Sequence, residues 1–163
     1  MILRNIRSKR AGQAMVEFAL LVPVFFMILV GLLDFGRAGF YYVAASGLSR
    51  SAARYGAAYA DANGQGFTDA QIVSMLTQQA NAETIRITQP AGCGTLTPPS
   101  PLTACYQPPS GQAYIFIDRS NFSTLPKFIK VSVVYRFDAT TPMVRAIVGT
   151  IYVRATSSME TEF

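Results

Sequence analysis

A lone carboxylate, Glu17, stands in an otherwise uncharged apolar stretch, five positions after Gly12. An ionised side chain within a membrane-spanning helix costs a few kcal/mol unless something neutralises it, so Glu17 demands a partner or a route to the interface. Asp34 and Arg37 follow at a spacing of three, which on a helix permits an ion pair contributing a few tenths of a kcal/mol. Cys93 and Cys105 are the only cysteines, and histidine is missing altogether. Without histidine the chain lacks the usual general base, the Ser-His-Asp and Cys-His nucleophile systems and imidazole metal ligands. Two cysteines alone make a poor zinc site, and the C-x-x-C spacing of a redox pair does not occur. There is no phosphate-cradling Gly-rich loop ending in Gly-Lys-Ser/Thr and no nucleophile elbow. Asp61 and Asp69 flank a Gly-rich turn as capping or solubilising residues rather than as an acid–base couple. The expectation is a protein that is no enzyme and takes no cofactor, metal or small-molecule substrate.

The element that must position Glu17 is written in the charge distribution. The 163 residues carry 14 Lys+Arg against 9 Asp+Glu, a formal charge of +5, with 50% hydrophobic and only 14% charged residues. Soluble domains average about 25% charged. Arg4, Arg7, Lys9 and Arg10 fall in the first ten positions with no acid among them, so the basic balance is local. Nucleic-acid binding would need basic residues spread over a face or interleaved with aromatics, so no nucleic-acid partner is expected. Residues 11–33 then hold Glu17 as their one charge. As a helix they reach roughly 34 Å, enough for a hydrocarbon core of about 30 Å. The positive flank puts the N-terminus in the cytoplasm and the C-terminal part across the membrane. A cleaved secretory signal peptide shares the basic start, but its apolar region runs only about 7–15 residues and has no use for a carboxylate. Glu17 keeps two readings: it snorkels back to the basic cluster near the cytoplasmic interface, or it meets a charge inside the membrane.

Gly12-Gln13-Ala14-Met15-Val16-Glu17-Phe18 resembles the processing site of type IV prepilins, particularly the Flp/Tad branch, in which Gly, four variable residues and Glu precede a Tyr; Phe18 replaces that Tyr. With the following A-L-L-V-P, the Gly31-x-x-Asp34-x-Gly36-Arg37 pattern and S-A-A-R-Y-G-A at 51–57, the first 57 residues resemble the TadE-like family of Tad pilus assembly proteins. The resemblance implies a membrane-anchored minor pilin or pseudopilin, cut between Gly12 and Gln13 by a prepilin peptidase. Its partners would be other pilin-like subunits and an inner-membrane assembly platform. Its place would be the bacterial inner (cell) membrane, single-pass with a periplasmic or extracellular head, or the surface pilus itself. Cleavage would free the Gln13 amine, which could pair with Glu17 of a neighbouring subunit and set the register between subunits, with Phe18 beside it. An uncleaved single-pass membrane adaptor, with a periplasmic domain that binds other envelope proteins, is the alternative reading.

The chain divides into a basic leader over 1–12, a transmembrane and stalk helix over 13–60 with its span at about 13–33, and an α+β head over 61–163. The helix reaches roughly 72 Å in all. Pro23 removes one of its backbone hydrogen bonds and predicts a kink. Phe40, Tyr41 and Tyr42 suit a headgroup-level aromatic belt, while Tyr41, Leu48 and Tyr55 with Ala44, Ala45 and Ala52 form a packing stripe. T-D-A-Q-I-V-S-M-L-T-Q-Q-A-N predicts a short helix with a Thr cap and Ile72, Val73, Leu76 and Ala80 on one face. Strand-like runs at 83–89, 113–118, 128–137 and 150–157 predict a small antiparallel sheet, one face buried and one wet, packed on the helical stalk. Residues 138–149 fit either a loop or a short helix. The Pro-rich segment 90–112 holds both cysteines, and on the oxidising side of the membrane a Cys93–Cys105 disulfide is the simplest expectation, contributing about 3 kcal/mol.

Overall fold

The computed structural model describes residues 4–58, 67–90, 98, 101–119 and 127–161. One helix, α1, runs from Arg4 to Ala58 with Pro23 inside it, a length of roughly 82 Å. It passes through Gly12 without a break, so the leader from Arg4 onward is helical and continuous with the apolar stretch. Alanine, leucine and methionine support this continuity locally, while Gly31, Gly36, Gly39 and Gly47 each weaken it by about 1 kcal/mol relative to alanine.

The second helix, α2, spans Asp69–Ala82. Its start is a capping box: the Thr68 N–H donates to Gln71 Oε1 at 2.9 Å, and the Gln71 N–H points back to Thr68 Oγ1 at 3.4 Å. This satisfies two donors that the first turn leaves open. Ile72, Leu76 and Ala80 are buried, and Val73 packs beside them, as the i, i+4, i+8 spacing predicts.

The remaining elements form a four-stranded sheet in the order β1-β2-β3-β4, with β1 at Arg86–Thr88, β2 at Gln112–Asp118, β3 at Lys127–Asp138 and β4 at Thr150–Thr161. The α+β expectation holds, but the sheet is mixed rather than wholly antiparallel: β1 pairs with β2 in parallel, while β2–β3 and β3–β4 are antiparallel. A parallel pair needs a crossover of a dozen or more residues, and the Pro-rich stretch between Thr88 and Gln112 supplies it. The last strand runs on to Thr161 rather than ending near 157, pairing along the whole of β3. Residues 138–149 resolve into a short helix, α3 at Pro142–Val148, set between β3 and β4. Pro142 opens it where a missing N–H costs nothing, and Gly149 closes it at φ 70°, a left-handed conformation that suits glycine.

Ile129, Val131, Val133, Tyr135 and Phe137 of β3 face Ala45, Leu48, Ala52 and Ala53 of α1, together with α2, in one core. Gly56 completes the approach, because a Cβ there would collide with the end of the Ile129 side chain. The opposite face of the sheet is not simply wet. Val134 is fully buried against Phe116 and Tyr106, with Leu102, Tyr114 and Tyr152 around them. Ser132, also buried, meets Thr156 across the strands at 3.0 Å. Residues 101–106 of the Pro-rich segment lie over this face through a short 3-10 turn at Ala104–Tyr106, which explains why Lys130, Ser132 and Arg136 alternate so imperfectly with the apolar positions.

Candidate functional site

The foot of α1 is the first part of the candidate site. Phe18, Leu20, Leu21, Phe25, Phe26, Ile28 and Leu32 are all exposed, on every side of the helix. A helix apolar all round and left mostly exposed by the other described elements needs an apolar surrounding. By length and composition, Gly12–Ala57 is the one candidate membrane span among the described residues. Glu17 lies in this foot, where the Gln13 side-chain amide donates to its Oε1 at 3.2 Å. The i, i+4 spacing permits this contact within one chain. Both groups are exposed, so Glu17 retains acceptor capacity for a partner outside the chain. Gly12 and Phe18 are likewise exposed, and no described residue comes near enough to Gly12 to fill the space of a Cβ.

The second part lies one helix segment higher. Asp34 and Arg37 do pair, Arg37 Nη1 to Asp34 Oδ1 at 3.3 Å. The pair has a larger job than a local helix contact. Asp34 is 5% exposed, and its two oxygens accept the backbone N–H groups of Thr140 at 3.3 Å and Thr141 at 3.2 Å. These residues lead into α3, so a carboxylate on α1 satisfies open donors at the junction of β3 and α3. Arg37 donates to the Thr140 hydroxyl and lies over the Phe137 ring, 5.8 Å from its centroid. Sequence reasoning linked Asp34 to Arg37 but missed Thr140, Thr141 and Phe137, more than a hundred positions away. The only local signal for them was Thr140-Thr141-Pro142, which reads as the start of a helix.

Above the pair, Tyr41 serves the packing stripe. It turns onto the sheet, stacked on Tyr135 with centroids 4.5 Å apart and planes 21° off parallel. Burial, and the Tyr41 hydroxyl beside it, push the Tyr135 hydroxyl well above the ordinary tyrosine range. Phe40 and Tyr42 remain exposed.

A second carboxylate, Asp138, ties the end of β3 to its neighbours. It accepts from Arg136 Nε at 3.1 Å, from Ser110 Oγ at 2.5 Å and from Thr150 Oγ1 at 3.2 Å. Burial acts to raise its pKa, but the Ser110 hydrogen bond and the Arg136 charge outweigh it and hold the carboxyl below its ordinary value. Asp69 pairs with Arg119 at 3.0 Å as part of the α2 entry, while Asp61 lies outside the described residues. Cys105 sits in the 3-10 turn and is not a free thiol, whereas Cys93 lies outside the described residues. No group of three or more His, Cys, Asp or Glu side chains placed to hold a metal occurs among the described residues.

The foot, the Asp34–Arg37 pair and the small-residue face of α1 thus form one continuous stretch of helix. Residues 12–54 match the TadE-like protein family. The match begins at Gly12, takes in Glu17, Pro23, Asp34 and Arg37, and ends within the packed upper part of α1, before α2. No curated protein and no solved structure matches the chain. The TadE-like segment and its long apolar helix fit a Tad pilus-related membrane protein.

Proposed function

We propose that this TadE-like chain is a membrane-anchored pilin-like subunit of a Tad/Flp-type pilus assembly or secretion system, acting by packing rather than by catalysis. The observation that carries the reading is the TadE-like segment itself: an apolar helix exposed all round, with one carboxylate five positions after a glycine that closes a basic leader. In this reading a prepilin peptidase cuts between Gly12 and Gln13, the helix over 13–33 spans the inner membrane with the N-terminus cytoplasmic, and the head over 61–163 faces the periplasm. The Gln13 amine freed by the cut meets Glu17 of the next subunit, neutralising two charges in a low-dielectric core and fixing the axial register. In the uncut chain Glu17 has the Gln13 side chain as its substitute partner.

Purified surface filaments and inner membranes test this directly. A chain recovered in filaments with the mass of residues 13–163 is a pilin-like subunit; a full-length chain confined to the inner membrane is the uncleaved adaptor. Glu17→Ala is expected to abolish recovery in filaments while leaving membrane insertion intact, and unchanged recovery would remove the register role. On the oxidising side of the membrane Cys93 and Cys105 form a disulfide in this reading. Thiol labelling of the undenatured, unreduced protein should then modify neither cysteine.

A further inference from the structure

Helix α3 occupies an unexpected height on the molecule. It starts beside Asp34, through Thr140 and Thr141, and its side chains Met143 and Val144 line a cavity of about 250 Å³ together with Pro23, Phe26, Met27 and Val30 of α1. The helix therefore points from the head back along α1. Pro23 lies about 16 Å below Asp34 along the helix axis, and α3 itself is about 10 Å long. On the reading that residues 13–33 cross the bilayer, those four α1 residues belong to the hydrocarbon.

The composition of α3 matches that depth. Met143, Ile147 and Val148 are exposed, Ile147 by 81%, and no other described element covers them. Arg145 is the only charge on α3, and its long stem allows the guanidinium to reach back to the headgroups. A polar loop entering hydrocarbon must have its backbone donors satisfied. Pro142 has none, Thr140 and Thr141 donate to Asp34, and the Arg145 and Gly149 N–H groups close onto the Thr141 and Arg145 carbonyls at 2.9 Å each, so only the Met143 and Val144 N–H groups of the first turn stay open.

We propose that α3 is a second membrane contact: it lies in the leaflet on the head side, against α1, with Met143, Ile147 and Val148 among lipid acyl chains. The Asp34 contact supplies the acceptors that let the turn before α3 enter the interface, so the bilayer grips both the anchor and the head. The inference rests on the membrane-spanning reading of residues 13–33, and the test separates the two.

The chain has no tryptophan, so a single one introduced by mutation is a unique fluorescent reporter. Three full-length variants, Phe25→Trp in the span, Ile147→Trp on α3 and Phe128→Trp at the far end of β3, are reconstituted in phosphatidylcholine vesicles brominated along the acyl chains. Phe25→Trp and Ile147→Trp are expected to have blue-shifted emission and to lose most of their intensity to brominated lipid. Phe128→Trp should instead be quenched by aqueous acrylamide. Val148→Trp repeats the α3 measurement at an independent exposed position. If the α3 reporters respond to acrylamide as Phe128→Trp does, α3 stays in water and the inference fails while the span stands. If they are shielded from both quenchers, protein covers α3 and the inference fails again. A Phe25→Trp reporter that ignores brominated lipid would remove the span and the inference together.

Discussion

The two halves of α1 solve opposite problems with opposite residues. Below Asp34 the helix carries phenylalanines, leucines, valines and methionines, and nearly all remain exposed; between Ala44 and Ala53 it carries alanines, one leucine and serines, and its packed face is sealed against the sheet. The lower half has apolar area that the other described elements leave mostly exposed, with only the start of α3 approaching Pro23, Phe26, Met27 and Val30, so its energetics depend on an apolar surrounding. The upper half has little apolar area per residue, yet Ala45, Ala52 and Ala53 let the backbone approach β3 closely enough for Ile129, Val131 and Val133 to be fully buried. Side-chain size, more than hydrophobicity, therefore separates the part of the helix that waits for partners from the part that has already found one.

Substitutions that exchange the two behaviours should show this most strongly. Leu48→Ala, at a position with no exposure, is expected to destabilise the folded head by about 2–5 kcal/mol in denaturant titration in detergent. Leu21→Ala removes the same atoms from the foot and should leave that titration unchanged; equal losses would erase the distinction. A smaller effect is expected at the boundary. Asp34→Ala strips the acceptors from Thr140 and Thr141, so the melting temperature should fall by several degrees and the two amides should exchange faster with deuterium. Unaltered exchange at both would mean that the carboxylate does not hold the β3–α3 junction.

The smallest effect belongs to pH and is confined to the head. The Asp138 pKa lies below its ordinary value of 3.8 in the folded state, so its contribution is fully present above the unfolded pKa and disappears as pH falls through the folded one. Thermal stability should thus decline as the medium is acidified below about pH 4. Asp138→Asn should flatten that decline relative to the parent chain, and an identical acid profile in the variant would assign the decline to other carboxylates.

Local signals made much of this molecule readable. The Thr68–Gln71 cap, the apolar face of α2 and the unbroken apolar foot all depend on residues within a few positions of one another, where propensity and spacing act directly. Strand direction does not. Whether β1 runs parallel or antiparallel to β2 depends on how the intervening Pro-rich segment crosses, and nothing in R-I-T reports that. Leu102 and Tyr106 from that segment pack on Val134 and Phe116, so a face that alternation marks as wet is partly closed. At the candidate site, Glu17 and the Asp34–Arg37 pair stood out because charges near an apolar run are conspicuous. Thr140 and Thr141 did not, since their partnership with Asp34 exists only once β3 has been laid along α1.

The Asp34 contact and the Tyr41–Tyr135 stack hold the head to α1 at two heights about 10 Å apart. Two such holds key the head against swivelling about the helix, as a single one would not. In the proposed assembly, a neighbour that docks along the apolar foot would consequently meet the sheet at one azimuth, and an axial repeat between helices would become a handed, oriented surface.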